Sequence, residues 1–559
     1  PDLPATLYLD YMRTGTRARF EAPYRERRFR LMALATAECI EGKGRFLDSI
    51  ADGAWSICEE STWCLPAHIH PQKAGKNLPD IGEPIIDLFA ADTGSLLAWI
   101  FYLLKPSLDK VSPLIASRIL REVNARILAP YAERDDFWWM GIGPDAGRPM
   151  NNWNPWINSN CLTCILLLAR EPERSRLVFK VIRSLDRFLD SYPDDGGCDE
   201  GPGYWNHAGG SLFESLELLH SASGGRIDFF ELPLVQEIGR YIYRAHIHGD
   251  WFTNFADASA RTSAKGDLIH RYGTRIKDAS MQALGAYMVS NEKKPLASAD
   301  SIDRRISAIF HWEELHRTPP KAPLVRDVFL PQSHFFAARR RAGSPDGFYA
   351  AAQGGHNLES HNHNDVGNFI VFLDGCPLLI DIGVETYTDM TFSARRYEIW
   401  TMQSAWHNCP TINGVMQGAG RRFEATAVRA SATDAKAEFS LNIERAYPPE
   451  AGVKTWRRTL TLDRSSDSVQ LTDAWALSKP SLLEFSFITT EPVAAAPGAV
   501  SLGKRAKITH GPALEAVIET RTTDDARLKP VWGGRIHRVR LTWRNAPPEG
   551  QANFRIERL

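Results

Sequence analysis

Thr318-Pro319-Pro320-Lys321-Ala322-Pro323-Leu324-Val325-Arg326 separates two stretches of chain whose hydrophobic periods differ. Proline lacks a backbone donor and pushes the residue before it out of the helical region. Prolines this close together therefore end a helix and leave an extended connection. Upstream, from residue 25 to about residue 317, apolar residues recur at helical spacing. Residues 28–40 form one amphipathic segment and 44–56 its partner. Further helices are predicted at 92–104, 113–128, 159–168, 175–191, 211–220, 232–245, 275–289 and 301–315. The breaks at 141–156, 193–210 and 248–260 are rich in Gly, Pro, Asn and Trp, as expected of functional loops on a scaffold of antiparallel helix pairs.

Downstream the runs are short and several alternate, as in Thr459-Leu-Thr-Leu462 and Arg538-Val-Arg-Leu-Thr-Trp543. Strands are predicted at 333–341, 347–353, 368–374, 378–383, 455–462, 468–475, 483–489, 514–520, 536–543 and 552–556, with the alanine-rich 493–500 as a loop. Many short strands between Gly, Pro and Asp turns read as an antiparallel β-sandwich. The fold class is α+β and multidomain, with a helical domain at 1–322 and a sandwich at 323–559.

Composition narrows the function. The 559 residues carry 66 basic and 67 acidic side chains, so no global field draws the chain to nucleic acid or an anionic membrane. A hydrophobic fraction of 43% and a charged fraction of 24% are globular values. No uninterrupted apolar run reaches about 18 residues, so no membrane span is expected. Sixteen Trp, 26 Phe and 15 Tyr provide aromatic faces of the kind that stack on sugar rings, though large helical cores also consume Trp. The eight cysteines are too few and scattered for a disulfide framework, and Cys161 and Cys164 read as core thiols.

The densest chemistry is Ser360-His361-Asn-His363-Asn-Asp365, followed by Asp381 inside an apolar run, then Arg395-Arg396-Tyr397 and Ser404-Ala-Trp-His407-Asn408. A carboxylate in an apolar run is costly unless paired or bound to a metal. His363, Asp381 and His407 make a plausible zinc set, with His361 left free on the same face if the segment is extended. The alternative is a group of capped, hydrogen-bonded turn histidines.

His361-Asn-His363-Asn-Asp365-x-Gly367, Leu379-Ile-Asp381-x-Gly383 and Ser404-x-x-His407-Asn408 together resemble the heparinase II/III family of polysaccharide lyases. Asn151-Asn152-Trp153, Asp195-Gly-Gly-x-x-Glu200-Gly201, Tyr204-Trp205-Asn206-His207 and Asn254-Phe-Ala-Asp257 are similar to the same family. The resemblance implies an incomplete (α/α) toroid before the sandwich and a cleft between the two domains. It also implies β-elimination on uronic-acid glycans, and a structural zinc, replaceable by another divalent metal, that organises the sandwich loops.

Such a lyase removes the C5 proton beside a uronate carboxylate and expels the oxygen at C4. It needs a carboxylate neutraliser, a base and an acid. Asn206 and His207 are candidates for neutraliser and base or acid, Tyr397 for the phenol with Arg395 and Arg396 beside it, and His361 for assisting proton transfer. Many relatives carry a second Tyr from the helical domain. The matching window here, around Arg261, has none, so either Tyr272 fills the role or Tyr397 and His207 divide it. Glu200 is expected to orient His207 or a sugar hydroxyl. Asn152, Trp153 and Trp156 are expected to stack on a sugar, as are Trp63 and His68 at an outer subsite. Tyr204, Arg261, Tyr272 and Arg396 complete the substrate-binding candidates.

A glycoside hydrolase using Glu200 and Asp257 is the competing enzyme, and a glycan-binding relative without chemistry the competing non-enzyme. The expected partner is an anionic uronate polysaccharide or oligosaccharide, non-sulfated or lightly sulfated and attacked in exo fashion. Neither nucleic acid nor membrane is expected, and the assembly would be a homodimer. The chain begins at Pro1 without Met, so it reads as processed. The expected compartment is cytoplasmic, or periplasmic if a signal peptide has been removed.

Overall fold

A computed structural model describes residues 2–292 and 301–559. Its first part is helical and its second is built of antiparallel sheets, as the two periods require. Leu88–Val111 is the central helix, packed on Pro113–Val123 and Trp153–Leu168, and the latter packs on Glu173–Ser191 and Gly209–Ala222. Local signals fix the ends. Asp87 caps Ala90 N, Ser112 caps Leu114 N ahead of Pro113, and Asp278 caps Met281 N. Leu88–Val111 is, among the described residues, a helix long and apolar enough to cross a membrane, against the expectation of none, but 61% of its apolar window is buried in the core. Cys161 and Cys164 are free and buried on Trp153–Leu168.

Several boundaries differ from expectation. The segment at 275–289 is two helices, Gly266–Arg275 and Ala279–Asn291, broken at Lys277 with φ 57°. They pack closely because Gly266 faces Gly285, where an added Cβ would lie 2.5 Å from a carbonyl oxygen. The stretch read as loop at 248–260 includes part of a short hairpin, His246–His248 with Trp251–Phe252. The alanine-rich loop is also a hairpin, Val493–Ala496 with Ala499–Leu502, turning at Gly498 with φ 73°. Asp381 lies just beyond the strand Cys376–Leu379, because Ile380 N leaves that sheet to bond Ile488 O.

Three larger sheets and a two-stranded ribbon, His356–Asn357 with Gly420–Glu424, form the second part. Asp327–Leu330, Phe335–Arg339, Phe348–Gln353, Phe369–Leu373 and Cys376–Leu379 make a five-stranded meander. An eight-stranded sheet runs from Thr426–Ala432 to Val493–Ala496, and a four-stranded sheet contains Ser481–Thr489 and Arg535–Ala546. Alternate residues of the five-stranded sheet enter different cores. Phe335, Ala337, Tyr349, Ala351, Ile370 and Phe372 join the core of the helical part, while Phe336, Ala338, Phe348, Ala350, Phe369 and Val371 face the sandwich. The meander is thus covered on both faces, which holds the two parts of the chain in fixed relation.

Candidate active site

A cleft of about 1610 Å³ lies between the two parts. Helical-part residues on its wall include Phe89, Asn152, Trp153, Trp156, Tyr204 and His207. From the other side come Ser360, His361, Asn362, residues 386–394, Arg396, Tyr397 and Arg527. Aromatic rings run along it: Trp138 lies 5.2 Å from Trp153, His68 4.8 Å from Trp153, and Phe89 5.8 Å from Trp156. Apolar ring faces with polar groups between them suit a sugar chain.

Asp257, fully buried, is the hub of the site. Its Oδ1 accepts from His363 Nε2 at 2.9 Å and Arg396 at 2.8 Å, and its Oδ2 accepts from His361 Nδ1 at 2.7 Å and Tyr387 Oη at 3.0 Å. Burial pushes this carboxyl up, but the two imidazoles and Arg396 hold it well below the usual carboxylate range. His361 reaches Asp257 from a left-handed residue, φ 56°, so the His-x-His segment is a turn and the condition of an extended segment is not met. Both imidazoles nevertheless grip the same carboxylate. Tyr387 Oη also meets Tyr204 Oη, and the Tyr204 ring lies 4.7 Å from His361. Burial above all pushes both phenols well above the usual phenol range, helped by Asp257 at Tyr204 and by Tyr204 and then Asp257 at Tyr387, so both carry their protons at neutral pH.

His207 lines the cleft with its ring stacked on Trp156 at 3.7 Å, and Trp156 Nε1 donates to the half-buried Asp92 at 2.9 Å. Tyr204 and His207 share one tight turn, in which His207 N donates to Tyr204 O. Tyr397 lines the cleft and accepts from Asn362 at 3.1 Å. Arg395 does not serve it, being exposed and paired with Glu398. Arg396 is occupied by Asp257, Asn362 O and Thr391 O, which leaves it a brace rather than a carboxylate clamp.

Other expected residues lie elsewhere. The Asn206 side chain points away from the cleft to Ser263 O, and its backbone carbonyl accepts from Arg304. Tyr272 is fully buried in the helical core, donating to Val235 O, so it is not the missing phenol. Arg261 lies over Trp251 outside the cleft, and Trp63 is a core residue. Glu200 accepts from Asn152 at 2.5 Å and lies 3.6 Å from His361 rather than orienting His207; burial raises it to about 8. His68 lines the cleft and is held by Asp87 at 2.7 Å. Sequence reading missed Tyr387 and Arg527, and gave Asp257 a place in a family-like motif and in the hydrolase alternative but no role in the lyase site. Tyr387, close behind the Asp381-x-Gly383 motif, had a local signal; Arg527 had none.

His363, Asp381 and His407 are buried together, their ligand atoms within 4.8 Å of one another. His363 Nε2 bonds Asp257 and His407 Nε2 bonds Thr401 O at 3.0 Å. With those nitrogens as the donors, both Nδ1 lone pairs are turned inward. His363 Nδ1 is buried without a hydrogen-bond partner, and His407 Nδ1 faces Asp381 Oδ2 at 3.1 Å. Two imidazole lone pairs beside a carboxylate, each ring oriented by an outer acceptor, fit a divalent metal.

Residues 323–542 match the family described as heparinase II/III-like, C-terminal. That match covers the sheet-built second part of the chain and leaves out the helical part. No curated protein matches it by sequence. Among solved structures, it is similar to heparinase III, with TM-score 0.64 and 13% identity over 95% of this chain and 76% of the other. A heparan sulfate lyase mutant from Pedobacter heparinus gives 0.62 and 13% over 94% and 75%. The Streptomyces coelicolor A3 chondroitin AC lyase in complex with chondroitin sulphate gives 0.56 and 11% over 99% and 78%. Identities this low speak for the shared architecture, a helical part followed by antiparallel sheets.

Proposed function

We propose that the protein is a polysaccharide lyase that cleaves uronic-acid glycans by β-elimination in the interdomain cleft. The observation that carries this reading is the grouping of Tyr204, Tyr387, His361 and His207 on an aromatic-lined cleft of about 1610 Å³, one wall of which is the heparinase II/III-like domain. His207 takes the C5 proton. The electrons of the C5–H bond form the C4–C5 double bond, the C4–O bond breaks, and the leaving oxygen takes a proton from Tyr204. Proton return from His207 to Tyr204 through solvent resets the site. Phenols kept neutral by burial are suited to donate. Tyr387 and His361, anchored on Asp257, hold Tyr204 in place.

His363, Asp381 and His407 would hold zinc or a similar divalent ion, whose part is to stiffen the loops that present His361. A hydrolase reading is disfavoured: each oxygen of Asp257 already accepts two hydrogen bonds, so no lone pair remains for acid–base work.

Arg17 and Arg25 pair with Glu21, and Arg28 pairs with Glu60, which leaves little spare positive charge for a heavily sulfated chain. Gly15 abuts Asp389 from the opposite side, where an added Cβ would lie 2.5 Å from its carboxylate, so one side of the cleft is bridged. This favours attack from a chain end. The test is ultraviolet absorbance growth on alginate, hyaluronate, chondroitin and heparan, with product sizes followed over time. One or more uronate polymers should give an unsaturated product released as short oligosaccharides from the start, and Tyr204→Phe and His207→Ala should each abolish it. Reducing ends without absorbance would show a hydrolase and overturn the reading.

A further inference from the structure

We propose that Arg527 is the carboxylate seat of the cleft, the side chain that selects an ionised uronate over a neutral or esterified sugar. The inference rests on the lyase reading for its catalytic consequence, but not for the binding it predicts. Neutralising the substrate carboxylate requires a cation or strong donor beside the proton-transfer groups. The two groups expected to supply it are otherwise engaged, because Arg396 is bound to Asp257 and the Asn206 amide points to Ser263 O. Among the other arginines on the cleft wall, Arg17 and Arg25 share Glu21, Arg28 holds Glu60, and Arg148 lies over Trp138.

Arg527 differs from them. Its guanidinium lies 4.5 Å above the Tyr387 ring, beside the phenol pair, and lines the cleft. Among the described residues it forms no salt bridge; besides its contact with Tyr387, it donates to the backbone carbonyl of Asp257 at 3.2 Å. Further N–H groups of its planar fork remain to receive a carboxylate.

The seat is also built to hold position. Asp525 Oδ1 accepts from the backbone of Arg527 at 2.9 Å and of Leu528 at 3.1 Å, while its Oδ2 accepts from Thr386 N at 2.9 Å. One carboxylate thus ties the segment bearing Arg527 to the segment bearing Tyr387. Stacking on Tyr387 and the bond to Asp257 O fix the other end. A carboxylate on this guanidinium places the adjoining C5 and O4 next to the phenol pair, where the developing charge is stabilised as the proton leaves.

The experiment compares wild type, Arg527→Met and Arg527→Lys in calorimetric binding of two probes, a saturated glucuronate-containing disaccharide and its methyl ester, and in turnover on free and methyl-esterified polymer. Charge-assisted hydrogen bonds are strong enough that Arg527→Met should weaken the charged probe by about tenfold or more while leaving the ester within about twofold. Arg527→Lys should restore part of the difference. Turnover should lose its preference for free uronate in the same order. Equal weakening of both probes would show a merely structural side chain, and unchanged binding of the charged probe would place the seat elsewhere; either result overturns the proposal. If the binding difference appears in a protein that forms no unsaturated product, the seat stands and the lyase reading fails.

Discussion

Asp92 shows how far one residue of the site departs from its ordinary chemistry. It accepts from Trp156 Nε1 at 2.9 Å and from Asn160 at 2.7 Å, and burial raises its carboxyl to about 7. Its folded value exceeds its unfolded one, so the native state holds a proton that the unfolded chain has released. Stability from this group therefore falls as pH rises from about 4 to about 7, and the cost is complete above that window. Asp92→Asn keeps an acceptor for both donors without the charge. It should raise the melting temperature near pH 8, by a gain on the order of 2–4 kcal/mol, and give none near pH 4. Melts showing the same shift at both pH values would mean that the carboxyl is not held neutral. At this scale the sequence was partly legible. His207, His361 and Tyr204 stand in recognisable motifs, whereas Asp257 as a hub and Arg527 as a cleft residue depend on partners far away in the chain. No local period records such pairings.

Elements of secondary structure were legible where one face is wet. Val453–Asp463 and Ser468–Leu477 alternate between buried and exposed or half-buried positions, and both were placed closely from period two. Phe348–Gln353 and Phe369–Leu373 are almost wholly buried because the meander is covered on both faces, so composition and length had to stand in for alternation. The hairpin at Val493–Leu502 was missed because alanine carries little strand propensity. One side chain of Val453–Asp463 also anchors the site. Arg458, buried, donates to both oxygens of Asp473 at 2.9 and 2.8 Å, to Gly367 O at 2.9 Å and to Asn408 O at 2.7 Å. It therefore ties the loops behind His363 and His407 to the eight-stranded sheet. Arg458→Met strands a buried carboxylate and should cost about 3–5 kcal/mol in urea unfolding. Pairing it with Asp473→Leu should recover much of that loss, and a double mutant no better than the single would show that the loop contacts, not the ion pair, dominate.

Across the whole molecule, catalytic and metal-ligating candidates meet through one carboxylate. Asp257 comes from the helical part, yet it binds His361, His363 and Tyr387 of the other part, and His363 turns its remaining nitrogen toward Asp381 and His407. Anything that loosens His363 therefore loosens the anchor shared by His361 and the phenol pair, while the aromatic wall of Trp138, Trp153 and Trp156 stands apart from that network. Metal removal should then separate two properties that a simple loss of fold would reduce together. Purified protein should carry about one zinc or similar ion per chain, as two histidines and a carboxylate imply. Stripping it with a chelator should lower turnover at least tenfold and the melting temperature by several degrees, because the two imidazole lone pairs and Asp381 would be left facing one another without a cation. Binding of a saturated glucuronate disaccharide should persist within a few-fold, since the aromatic wall does not depend on His363 and Asp525 still ties down the segment bearing Arg527. Added zinc should restore turnover. A stripped protein that keeps full turnover and its original melting temperature would show that His363, Asp381 and His407 are a hydrogen-bonded cluster and that Asp257 needs no metal to hold the two parts of the site in register.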